Sequence, residues 1–139
     1  LLENVRVYNN IAYDNCFVGL AITVNGPGDP QGHHPMDGIW VVNNTFADNG
    51  WEDWGGGIVL DNPDALNVVI RNNIVSQNLY FQLAVALGVP AQHYVADHNL
   101  IDGFHGTEGE IYNIGSGVGS EKEKVLPAFS VLSTQTLPP

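Results

Sequence analysis

The chain has 139 residues, 44% of them hydrophobic and 14% charged, with Lys+Arg 4 against Asp+Glu 15 and a formal net charge of −11. That balance suits one folded domain rather than a disordered chain, and it excludes nucleic acid as a partner, because phosphate contacts need clustered Lys or Arg. No run approaches the roughly 18 apolar residues of a membrane-spanning helix, so a membrane is excluded as well.

In chain order, the first element is Val5-Arg6-Val7-Tyr8-Asn9-Asn10-Ile11-Ala12. Its alternation predicts a pleated strand with Val5 and Val7 inward, a turn at the asparagine pair, and a second strand with Ala12 inward. Cys16, the lone cysteine, reads as a small buried apolar side chain and cannot form an intrachain disulfide. A strand over Gly19–Thr23 follows, and then a Gly-, Pro- and His-rich loop, Asn25 to Asp37.

The same order recurs three times. Ile39-Trp40-Val41-Val42-Asn43-Asn44-Thr45-Phe46 leads through Gly50-Trp51-Glu52-Asp53-Trp54-Gly55-Gly56 into a strand over Gly57–Asp61. Val68-Val69-Ile70-Arg71-Asn72-Asn73-Ile74-Val75 leads into Leu83–Leu87, and Tyr94-Val95-Ala96-Asp97-His98-Asn99-Leu100-Ile101 closes the series. The second asparagines, Asn10, Asn44, Asn73 and Asn99, are 34, 29 and 26 residues apart, and Asn15, Asn49 and Asn78 stand five residues beyond the first three, with Phe104 breaking the row. Three short strands per repeat leave no room for helices, so the arithmetic is that of an all-β solenoid of about four coils, stacked about 4.8 Å apart. An inward amide is expensive unless paired, so the asparagines are expected to form a ladder from coil to coil, in a turn conformation that asparagine tolerates. His98 stands where the other repeats have their first asparagine and is read as structural.

The pattern V-x-V-x-N-N-x-x-x-x-x-N resembles the right-handed parallel β-helix proteins of the pectin-lyase-like group, over roughly residues 4 to 115. The resemblance implies a right-handed, single-stranded parallel β-helix. The strand before the asparagine pair then belongs to the second sheet, the strand after it to the third, and Gly19–Thr23, Gly57–Asp61 and Leu83–Leu87 to the first. It also implies a carbohydrate-polymer partner in a groove along the first sheet, and a secreted, extracellular or periplasmic, protein. Val5 is inward almost at once, and four residues cannot cap a solenoid. The chain is therefore expected to be a C-terminal piece of a longer β-helix, or to associate end to end through this open coil. Residues 1–115 form the coils in this reading. Residues 116–139, with the Gly115-to-Ser120 link and a Pro127-Ala128-Phe129 segment, form a linker and capping tail.

The two long loops should flank the first sheet, where loops that lengthen a solenoid usually carry function. Trp51 and Trp54 can stack on pyranose faces, and Glu52, Asp29 and Asp37 can accept sugar hydroxyls. Asp53 and Asp61 are the candidate acid and base for glycoside hydrolysis, with His33 as a further candidate base. The aspartate motifs of polygalacturonase-like hydrolases are absent. A lyase needs a basic residue near the sugar C5 proton, but Arg6 and Arg71 fall on the second sheet, and Lys122 and Lys124 in the tail. The acidic balance disfavours a bare anionic polysaccharide unless a cation such as Ca²⁺ bridges the charges. A non-catalytic structural or adhesin-type solenoid is the alternative from another class.

Overall fold

Strand pairing follows the alternation read from the repeats. The computed structural model describes residues 1–24, 28–51 and 55–102. Every strand pairing among them is parallel; each of the first three repeats contributes one strand to each sheet in turn, and the described part of the fourth contributes to the second and third sheets. The second sheet consists of β2 (Arg6–Tyr8), β6 (Trp40–Val42), β10 (Val68–Arg71) and β13 (Tyr94–Asp97). The third consists of β3 (Ile11–Tyr13), β7 (Thr45–Ala47), β11 (Ile74–Ser76) and β14 (Leu100–Asp102). The first consists of β4 (Val18–Thr23), β8 (Gly56–Asp61) and β12 (Leu83–Val85). β12 stops two residues short of the expected Leu87, where Val89 N–H closes a turn on the Ala86 carbonyl.

A fourth ladder was not foreseen. β1 (Leu2–Glu3), β5 (Met36–Asp37) and β9 (Ala65–Leu66) pair side by side ahead of the second sheet, so a repeat carries four strands rather than three. Two-residue strands are too short to show an alternating pattern in sequence.

The core is a set of inward columns in exact register across the sheets. Val7, Val41, Ile70 and Ala96 form one, Ala12, Phe46, Val75 and Ile101 a second, and Leu20, Ile58 and Leu83 a third. Val41, Ile58, Leu60, Ile70 and Val75 are wholly buried, each worth about 1.5–3 kcal/mol of transfer free energy. No helix among the described residues is long and apolar enough to cross a membrane.

Left-handed residues turn the corners, three in each of the first three repeats and one in the described part of the fourth. They are Asn4, Gly38 and Asn67 before the second sheet, Asn9, Asn43, Asn72 and His98 after it, and Asp14, Asp48 and Gln77 after the third. All have φ between 52 and 68°, where Asn, Asp and Gly are least penalised. This corrects one expectation. In each asparagine pair the first residue, not the laddered second, takes the left-handed turn, and His98 with φ 55° does the same.

The second asparagine makes the ladder. Asn10 Nδ2 donates to Asn44 Oδ1 at 3.1 Å, Asn44 to Asn73 at 3.0 Å and Asn73 to Asn99 at 2.9 Å. Each Oδ1 also accepts the preceding asparagine's backbone N–H, at 2.9–3.0 Å. A parallel ladder runs from Asn15 to Asn49 to Asn78. Gln82 then closes it, because its buried Oε1 accepts Asn78 Nδ2 at 2.6 Å while its Nε2 donates back to the Asn78 carbonyl. Phe104 and residues 116–139 lie outside the described residues. Cys16 is exposed rather than buried, and the amide of Asn15 beside it is the side chain that joins the ladder.

One surface pair reports on the register of the second sheet. Arg71 Nε and Nη2 donate to the Asp97 carboxylate on the neighbouring strand, at 2.5 and 2.7 Å. Hydrogen bonding from Arg71, with a smaller contribution from His98, holds the Asp97 carboxyl down at about 2. An unfolded aspartate titrates near 3.9, so the pair contributes fully above about pH 4 and its contribution is lost as pH falls toward 2. The melting temperature of Asp97→Asn should therefore lie below that of the parent protein at pH 6, and the gap should close by pH 2. A gap independent of pH would show that the ion pair does not form.

Candidate functional site

On the outer side of the first sheet Ala21, Val59 and Ala84 stand in register, with Val59 buried, and Thr23 lies beside Asp61 at the C-terminal edge. Inward glycines at the other edge, Gly19 and Gly57, let the sheet close against Phe46, Val75 and the second asparagine ladder.

At the C-terminal edge the loop after β4 folds back on the next repeat. Asp29 organises it: Oδ1 accepts backbone N–H groups from Gln31 and His33, at 2.9 and 2.8 Å. The His33 hydrogen bond chiefly holds the Asp29 carboxyl below its ordinary range. His33 Nδ1 lies 3.8 Å from Asp29 Oδ2. Asp64 Oδ2 accepts the His34 N–H at 2.8 Å, and the buried Asn62 donates to the His34 carbonyl at 2.9 Å. Thr23, Asp29, His33, His34, Pro35 and Met36 border a shallow depression of about 330 Å³. The carboxylates of Asp29 and Asp64 are thus engaged in holding the loop.

The predicted residues divide between two edges of the sheet. Asp61, at the end of β8, shares the C-terminal edge with Asp29 and His33. Trp51 precedes β8 at the opposite edge, so the six-residue strand, roughly 20 Å long, separates it from Asp61. Asp37 lies on β5, away from the first sheet, where its Oδ1 accepts Asn67 Nδ2 at 2.7 Å. Glu52, Asp53 and Trp54 lie outside the described residues, and with them half of the suggested acid–base pair. Among the described residues, no three His, Cys, Asp or Glu side chains converge on a metal position. Arg6 and Arg71 lie on the second sheet, as expected.

The N-terminal edge holds a feature that sequence reasoning passed over. Two residues after each member of the second ladder stands an aromatic: Phe17 after Asn15, Trp51 after Asn49, Tyr80 after Asn78. The corners are stacked by backbone hydrogen bonds, Gly50 N–H to the Asn15 carbonyl at 2.8 Å and Leu79 N–H to the Asn49 carbonyl at 2.9 Å. Trp51 then leaves the stack, because Gly55 takes the place between Phe17 and Tyr80: Gly56 N–H donates to the Phe17 carbonyl and Tyr80 N–H to the Gly55 carbonyl, each at 3.1 Å. Phe17, Trp51 and Tyr80 are 55%, 47% and 48% exposed. Asp14 and Asp48 turn the same corners three residues earlier. No protein-family model, curated protein or solved structure matches this chain.

Proposed function

We propose that the chain forms part of a right-handed, single-stranded parallel β-helix of the pectin-lyase-like kind, and that it is a carbohydrate-binding section of a polysaccharide-processing protein. The parallel register, the strand succession from repeat to repeat and the asparagine ladder support the architecture. The observation that carries the function is the set of exposed aromatics, Phe17, Trp51 and Tyr80, on the segments that enter the first sheet. Large aromatic faces held on rigid corners bury the C–H face of a pyranose ring at little entropic cost. Asp61 stands at the C-terminal edge of the first sheet as an acceptor for sugar hydroxyls.

Affinity electrophoresis through gels containing single polysaccharides tests the reading. Retardation by at least one polymer is expected, and Trp51→Ala should weaken it roughly tenfold, the loss of about 1.4 kcal/mol, with the far-ultraviolet circular dichroism unchanged. Incubation with the retarding polymer separates the modes of action. New reducing ends mark a hydrolase, absorbance of an unsaturated product marks a lyase, and retardation without products marks a binder. Absence of retardation by every polymer defeats the carbohydrate reading and favours a structural solenoid.

A further inference from the structure

We propose that the outer face of the third sheet is a docking surface for a second copy of this chain, stacked in the reverse direction. Two outward columns in register make up that face. One is Ile11, Thr45, Ile74 and Leu100, and the other is Tyr13, Ala47, Ser76 and Asp102. Ile11 is 78% exposed, Ile74 46% and Leu100 36%, so three of the four repeats present a bare aliphatic side chain to water. Scattered exposed aliphatics are ordinary, but an aligned row of them on one sheet marks a contact surface.

The order of residues along the columns fits the face to itself. A twofold axis parallel to the strands sets the first repeat of one copy against the fourth of the other and keeps each column opposite its own kind. Ile11 then meets Leu100 of the second copy, and Ile74 meets Thr45. Tyr13 meets Asp102 of the second copy, where the phenolic O–H donates to the carboxylate, and symmetry supplies this pair twice. Ala47 and Ser76 fill the middle without charge. A twofold axis along the stacking direction would instead lay Asp102 on Leu100 of the second copy, a carboxylate against an apolar side chain. In the reversed arrangement the strands of the two faces run aligned, as they do in sheets packed about 10 Å apart. Four strands of three residues give a face of roughly 19 by 10 Å. That is well short of the ~800 Å² per partner of a standard interface, so the dimer belongs to the weak, transient class. The net charge of −11 on each copy opposes it at long range.

Sedimentation equilibrium up to about 1 mM chain tests the proposal, since an interface of this size is populated only at high concentration. A monomer–dimer equilibrium is expected at about 0.15 M salt. Lowering the salt to about 0.01 M should weaken it severalfold, because the Debye length grows from about 8 to about 30 Å. Ile74→Lys should weaken association at least tenfold although it reduces the net charge. Ile74→Thr, which keeps a β-branched residue in the strand, and Tyr13→Phe should each do so severalfold with unchanged melting temperatures. Direction is read by cross-linking in a Cys16→Ser background. A mixture of Ile11→Cys and Leu100→Cys chains should be joined by a bismaleimide spanning about 10 Å, the distance between packed sheets, and Ile11→Cys alone much less. A chain that stays monomeric at about 1 mM overturns the proposal; if Ile74→Thr then weakens retardation by a polysaccharide, the face belongs to a glycan. Association unaffected by the Ile74 and Tyr13 variants also overturns it and points to the open first coil. Preferential joining of Ile11→Cys to itself overturns the reversed stacking.

Discussion

Replacing Asn73 by leucine is expected to lower stability by about 2–4 kcal/mol, because it strands a buried polar group on the preceding repeat and weakens the ladder on both sides. Asn73 Oδ1 accepts both the backbone N–H and Nδ2 of Asn44, and Asn73 Nδ2 donates to Asn99 Oδ1 and to the Val41 carbonyl. Leucine fills a similar volume but offers none of these. Asn44 Nδ2 keeps the carbonyls of Val7 and Val42, and Asn99 Oδ1 keeps the Asn73 N–H. The Val41 carbonyl keeps its place in the second-sheet ladder with Arg71, but the Asn44 N–H loses a partner that water cannot replace, since Asn44 is buried. One orphaned N–H at about 1–3 kcal/mol, with about 1 kcal/mol more for the bonds weakened beside it, sets the expected range. The exposed Asn10 provides the control: Asn10→Leu should cost about 1 kcal/mol, as water can take over. Chemical denaturation of the two variants measures the difference, and equal losses would show that the ladder does not act as a buried chain of amides.

Gly57→Ala should be comparably severe, at about 3 kcal/mol or more, for the opposite reason of too many atoms. A Cβ there would overlap the Val75 Cγ1 methyl and the Gln82 carbonyl oxygen, and would lie 2.9 Å from Asn78 Nδ2. Neither neighbour can give way cheaply. Val75 is fully buried in the core, and the Gln82 carbonyl accepts the Ile58 N–H at 2.8 Å in the first sheet. Gly32 is the contrasting site, with nothing within 4 Å but a φ of 81°. Gly32→Ala should therefore show only the modest strain of its backbone, about 1 kcal/mol. Thermal melts of both variants check the ranking, and a mild Gly57→Ala would mean that the first sheet packs less closely on the third than described.

The inward columns were legible because a period-two apolar pattern, repeated four times around an asparagine, admits few foldings. Val41, Phe46, Ile70 and Val75 lie buried as that pattern requires. The division of labour inside each Asn-Asn pair was not legible, because the same residue type serves both the left-handed turn and the ladder. His98 held the clue, since a histidine can take the turn but not the place of an inward amide. Gln82 escaped notice for a different reason. It closes the second ladder from only four residues beyond Asn78, while the other rungs recur at 29 and 34. Its chemistry is that of a rung but its spacing is that of a local turn.

The candidate site was legible in parts. The loop after β4 does return to the first sheet, but the pattern gave no sign that Asp29 spends its carboxylate on the backbone of Gln31 and His33. Asp37 was assigned to that loop and instead forms part of β5, too short a strand to be marked by alternation. The exposed aromatics were present in the sequence as a fixed offset from Asn15, Asn49 and Asn78, but the offset gave no sign that Gly55, and not Trp51, takes the place between Phe17 and Tyr80. Cys16, on the same corner, was misjudged because small apolar character says nothing about which side of a turn a residue occupies.

The central claim is that residues 26 to 34 apart in sequence stand side by side in parallel register, joined by asparagine amides. Nuclear Overhauser contacts between backbone protons test it directly. The account predicts interstrand contacts linking Val7 to Val41, Val41 to Ile70 and Ile70 to Ala96, with the Asn44 and Asn73 amide protons among the slowest to exchange. Close Hα–Hα contacts between strands adjacent in sequence, the mark of antiparallel hairpins, would contradict it.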